Sequence, residues 1–204
     1  MLGLGIGAPT TVFTLVNQLF FVRPAEVMEP HRLVKMYGTH GDRVDRAMEH
    51  PDFEYYRRAA TSLELAAYSE GGIDAPYSLS PGEYDQLTPG FVSDNYVDVL
   101  GTRALIGRGF LPEENATPGT HAVLVLSHPF WHRAFASDPD VVGRTLLIAD
   151  RPYTILGVMP ETFAGISPLE SPPDVWLPIA MHGDLFADPS DRAWWERMPG
   201  RSST

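Results

Sequence analysis

The stretch HAVLVLSHPFWHRAFASDPDVVGRTLLIADRPYTILGV, residues 121–158, carries the strongest folding signals in the chain. Its first six residues form a short apolar, β-branched run that predicts a strand. Ser127 follows at a position where its hydroxyl can cap a helix, and Phe130, Trp131 and Phe135 recur at the spacing of one helical face. Residues 144–149 and 152–158 are two further strand-like runs flanking Asp150 and Arg151, a pattern that predicts a β-hairpin turning at those two residues. Alternation then places Leu146, Ile148, Tyr153 and Ile155 on the packed face.

Outward from this unit the same logic gives shorter elements. Residues 32–38 (RLVKMYG) read as a strand, and Asp52, behind Pro51, is placed to cap a short helix through Phe53, Tyr56 and Ala60. Residues 65–70 and 74–79 read as two weak strands around Gly71 and Gly72. Residues 83–92 lead to Ser93, which can N-cap a helix over 94–100 that Gly101 terminates. Strands and short helices interleaved in this way predict an α+β domain rather than a doubly wound sheet.

Composition narrows the function. The 204 residues carry 15 basic and 26 acidic side chains, a net charge of −11, which argues against sequence-independent binding of nucleic acid. Lys35 is the only lysine and Met36 follows it, so no P-loop exists in this chain. Without cysteine there is no disulfide, thiolate nucleophile or Cys-ligated metal.

Residues 1–22 (MLGLGIGAPTTVFTLVNQLFFV) hold no charged side chain. As a helix they would extend roughly 33 Å, about the hydrocarbon thickness of a bilayer. The reading is a membrane span, with Thr, Asn and Gln suited to packing against other membrane helices. Its rivals are a signal segment, which lacks a basic start and a clean cleavage site, and a buried soluble helix. The flank after it, with Arg23, Glu26, Glu29 and Arg32, is not enriched in basic residues, which favours placing the bulk of the chain outside the cytoplasm. Gly3, Gly5 and Ala8 match a dinucleotide fingerprint but have no strand before them, so the match is a decoy.

No catalytic constellation emerges. His128 and His132 share a helix face and His121 lies one strand earlier, a spacing that would suit a metal-dependent enzyme. However, Pro129 stands where a zinc hydrolase motif needs glutamate, and the simpler reading is histidines on a helix that packs through its aromatics. No G-x-S-x-G elbow occurs, and Ser127 and His128 are adjacent, so they cannot face each other. Glu113 with Glu114, and Asp138 with Asp140, sit beside prolines and read as solvated loops and caps. No catalytic, cofactor-binding or metal residue is assigned.

Five ordered segments carry a resemblance: LGIGAPTTVFTLVNQLFFVRP (4–24), EPHRLVKMY (29–37), SDNYVDVLGTRALIGRGFLPEE (93–114), residues 123–163, and PDVWLPI (173–179). In order and spacing they resemble MacB-like ABC-transporter permeases, most of all the large bacterial branch labelled acidobacterial-type permeases. The resemblance implies the end of a first membrane helix (1–23) followed by an extracytoplasmic MacB-like core domain (24–204). Such a chain would sit in the bacterial inner membrane with its bulk outside the cytoplasm, and have no cofactor and no catalysis of its own. A separate cytoplasmic ATPase would drive it, with envelope proteins as further partners, in efflux or envelope transport. Relative to that family, half of the first helix and the segments beyond WWERMPGRSST are missing, so a chain truncated at both ends is expected. A membrane-anchored binding or interaction module is the alternative.

Overall fold

The structure, a computed structural model, describes residues 32–36, 38–40, 43–45, 50–69, 74–80, 82–166 and 172–185. The expected membrane helix, the Gly71–Gly72 turn and the Trp194–Trp195 tail lie outside these residues. Among the described residues no helix is long and apolar enough to cross a membrane.

The first described elements are two three-residue strands, β1 (Gly38–His40) and β2 (Arg43–Asp45), paired antiparallel, and then helix α1 (His50–Ala59). Strands β3 (Tyr68–Ser69), β4 (Ala75–Ser80), β5 (Glu83–Leu87) and β6 (Pro89–Val92) precede helix α2 (Tyr96–Val99). Next come β7 (Ile106–Gly107), β8 (Val123–Leu126), helix α3 (His128–Phe135), β9 (Thr145–Ile148) and β10 (Arg151–Val158). Strand β11 (Val175–Pro178) and helix α4 (His182–Leu185) complete the described elements. All strands from β3 onward form one mixed sheet in the order β3-β6-β11-β8-β10-β9-β4-β5, with β7 added against β10. The β6–β11 and β8–β10 pairs are parallel and the rest antiparallel.

Alternation along the central strands divides the core between the two sheet faces. Leu124, Leu126, Ile155, Val175 and Leu177 point to the face covered by α3, where Phe130, Trp131 and Phe135 are buried as their spacing predicts. Val125, Leu156 and Trp176 point the other way, into a smaller cluster with Tyr96, Leu100, Phe110, Met159 and Phe163. Ser127 Oγ accepts from Phe130 N at 3.3 Å, as expected of the cap, and Trp131 Nε1 donates to Asp138 O at 2.8 Å.

The hairpin forms, and Leu146, Ile148, Tyr153 and Ile155 are fully buried, but its turn is one residue earlier than predicted. Ile148 pairs with Arg151, so the loop is Ala149–Asp150, both left-handed at φ 47° and 61°. A two-residue loop of this hand matches strand twist, and Asp adopts that conformation more readily than Arg. The neighbouring strands hold it there: Ala149 N donates to Pro76 O at 2.8 Å and Tyr84 Oη donates to Asp150 Oδ1 at 2.8 Å.

Other expectations need correction. The strand expected over 32–38 is not there: residues 33–36 join neither sheet, and pairing starts at Gly38, where a partner strand exists. Asp52 lies inside the first turn of α1 rather than capping it. The two weak strands form as β3 and β4 but do not neighbour each other, because β3 pairs with β6 while β4 lies between β9 and β5. Residues 83–92 supply two strands. Ser93 does not cap α2, whose N-cap position is Asn95, because its hydroxyl is engaged elsewhere.

Candidate functional site

That engagement is one of several staples fixing connecting segments to the sheet. Ser93 Oγ accepts from Ala67 N at 2.9 Å and donates to Asn95 Oδ1 at 2.9 Å, and Asn95 Nδ2 donates to Leu65 O at 3.0 Å. The segment between α1 and β3 is thereby tied to the end of β6. Arg57 of α1 reaches Asp94 at 2.8 Å in the same place.

A second staple follows β7. Arg108 donates both terminal nitrogens to Glu114, Nη2 to Oε1 at 2.7 Å and Nη1 to Oε2 at 2.8 Å. Glu114 Oε2 also accepts from Leu111 N at 2.8 Å, closing the 3-10 turn Pro112–Asn115 from its third residue. Burial pushes the Glu114 carboxyl up, but the Arg108 and Leu111 hydrogen bonds and the guanidinium charge outweigh it, leaving it below its ordinary value. The neighbouring Asn115, also buried, donates through Nδ2 to Val92 O at 3.1 Å and accepts through Oδ1 from Ala180 N at 3.0 Å. One side chain thus joins the ends of β6 and of the β11 segment.

The third staple is Asp174. Its Oδ2 accepts from Thr88 N at 3.0 Å, its Oδ1 from Arg133 of α3 at 3.0 Å, and its carbonyl from Ser127 N at 2.9 Å. The starts of β6 and α3 are fixed to the start of β11. These side chains are satisfied by one another, which suits them to hold a shape.

The predicted metal candidates do not converge. His121 lies exposed with Nδ1 2.8 Å from Thr120 Oγ1, His128 packs its ring edge-on to Trp131 at 5.4 Å, and His132 is exposed on α3. Among the described residues no group of three His, Asp or Glu side chains is placed to hold a metal ion. Asp138 is a cap, accepting from Asp140 N at 2.9 Å and pairing with Arg144 at 2.7 Å, as expected. Glu114 is not the solvated loop acid that its sequence suggested. Glutamate three residues after Leu111, with Pro112 first in the turn, was the spacing that could have signalled it.

Against known proteins, the sequence profile of the MacB-like periplasmic core domain matches residues 1–198. The chain belongs to that family. A MacB-like periplasmic core domain is a domain of ABC-transporter permeases, so the resemblance read from the motifs holds. The fold is similar to the periplasmic region of MacB from Actinobacillus actinomycetemcomitans, at 15% identity and a TM-score of 0.52 over 74% of this chain and 66% of that one. It is also similar to the extracellular domain of the noncanonic ABC-type transporter YknZ from Gram-positive bacteria, at 14% identity and a TM-score of 0.53, covering 69% and 67%. The chain thus spans just under two thirds of the Actinobacillus structure. No curated protein matches it. In this MacB-like domain the mixed α+β architecture is the shared feature, and the staples are the means by which this sequence holds it.

Proposed function

We propose that this domain is the extracytoplasmic body of an ABC-type export permease, passing ATP-driven motion of membrane helices to partners in the cell envelope. The profile match over residues 1–198 is the observation that carries this reading. A separate cytoplasmic ATPase supplies the energy, as the family likeness suggests; the 204 residues themselves hold no phosphate loop. Residues 1–23 anchor the body in the inner membrane and 24–204 form the extracytoplasmic part. The domain acts without catalysis or a cofactor, because a relay works by keeping its form: a motion crosses a body whose packed elements move together. The staples at Ser93, Glu114, Asn115 and Asp174 support that role. Two experiments test it. A cysteine placed at exposed Leu79 in this cysteine-free chain is expected to react with a membrane-impermeant maleimide in intact spheroplasts; labelling only after lysis overturns the topology. Native membranes solubilised gently are expected to yield a co-purifying ABC ATPase, and its absence counts against the coupling.

A further inference from the structure

Residues 32–36 join neither sheet, yet they lie against the second face. Leu33 packs on the smaller core cluster together with Tyr68, while its neighbour Val34 is 76% exposed. Two residues on, Lys35 Nζ stands 5.1 Å from the centre of the Tyr68 ring, within cation–π range. Tyr68 leads into a continuous aromatic stack: its ring is 6.1 Å from Tyr96, which is 5.8 Å from Trp176, and Trp176 is 5.6 Å from Phe163. The seat is on β3, a two-residue strand that among the described residues lies at the sheet edge and pairs only with β6.

We propose that residues 32–36 form a releasable strap, docked by Leu33 and clasped by Lys35 on the Tyr68 end of the aromatic stack. Among the described residues it is held by side-chain contacts and by no strand ladder, so it can lift while the ladder of the sheet stays whole. At the far side of the same stack the buried Trp176 indole N–H has no acceptor. Because the strap links residues 1–31 to the body, it is the joint at which membrane motion enters the domain; that role alone rests on the proposed function.

Lys35 makes the docking measurable, since a lysine-specific endoproteinase has a single site in the entire chain. When reclosing is fast, cleavage follows the population of the lifted state. Digestion of the full chain, read by mass, is expected to be slow in the wild type. Leu33→Asp and Tyr68→Leu, which spoil the contact from its two sides, are each expected to accelerate cutting after residue 35 by roughly tenfold. Val34→Asp, whose side chain faces solvent, is expected to leave the rate unchanged. Tryptophan fluorescence unfolding confirms that each variant retains its folded body. Wild-type cleavage as fast as in urea-unfolded chain, or equal acceleration by Val34→Asp and Leu33→Asp, overturns the strap. Neither outcome bears on the maleimide topology test, so the two readings fail separately.

Discussion

Replacing Gly157 by alanine probes the tightest crossing in the domain. Here β7 lies across β10, with Gly107 opposite Gly157. A methyl group at 157 would stand 2.6 Å from Ile106 O, 2.7 Å from Arg108 O and 2.9 Å from Arg108 N. All three are backbone atoms, so no side chain can swing aside and β7 itself must move. Moving it strains the bonds from Leu105 N to Val158 O (2.8 Å) and from Arg108 N to Leu156 O (3.1 Å). Two such bonds contribute about 1 kcal/mol each, and forcing an added methyl into packed structure costs about 1–3 kcal/mol. Gly157→Ala is therefore expected to destabilise by about 3–5 kcal/mol, a large share of the about 5–15 kcal/mol typical of a domain. Urea unfolding followed by tryptophan fluorescence measures this, with a lowered midpoint at unchanged slope. Gly109→Ala, two residues beyond Gly107, is the control, since its methyl meets only Val97 Cγ2 at 4.0 Å. A Gly157→Ala midpoint indistinguishable from that of Gly109→Ala would falsify the argument.

Four further outcomes are expected. Leu146→Asp buries an unpaired carboxylate at a fully buried hairpin position and should abolish cooperative unfolding in circular dichroism. Asn115→Ala leaves Val92 O and Ala180 N without their partner, and should cost about 2–4 kcal/mol in the same urea assay. Glu114 has a folded-state pKa below its unfolded value, so its stabilisation is present above the unfolded value and lost as pH falls through the folded one; Glu114→Gln should flatten the acid limb of a stability–pH profile, and an unchanged limb refutes the assignment. Burial raises the Tyr96 hydroxyl far above its ordinary value, so in an ultraviolet titration Tyr96→Phe should remove one tyrosine from the step that accompanies unfolding in alkali.

The sequence made legible what depends on local pattern. The β8–α3 unit and the hairpin could be read because apolar alternation and a serine cap act over a few residues, and these segments meet their neighbours in chain order. Residues 32–38 misled because β-branched and aromatic content predicts a strand only where a partner edge is available; the chain instead uses Leu33 and Lys35 as side-chain contacts. The staples were hidden for the same reason. Asn115 links residues 23 and 65 positions away, and Asp174 reaches back to Thr88 and Arg133. No periodicity records such pairings. Glu114 shows the limit most clearly, since a Pro-Glu-Glu turn looks solvated until Arg108, six residues earlier, is seen to fold over it.

The placement of the staples bears on how the body would carry a load. Ser93, Asn95, Asn115 and Asp174 all act on β6 or on the segments that enter and leave it, and β6 is the strand between β3 and β11. A pull arriving through Tyr68 reaches β6 first. Were β6 held by its ladder alone, it could slide along β11, because a parallel pair of four residues is a short grip. With Asp174 fixing its start through Thr88 and Asn115 fixing its end through Val92, sliding requires breaking a part-buried hydrogen bond at one end and a buried one at the other at once. Under the proposed function the sheet would then turn as a unit, and the compliance would be left to the proposed strap. A domain built the other way, with a firm joint and a loose β6, would spend the same motion within itself.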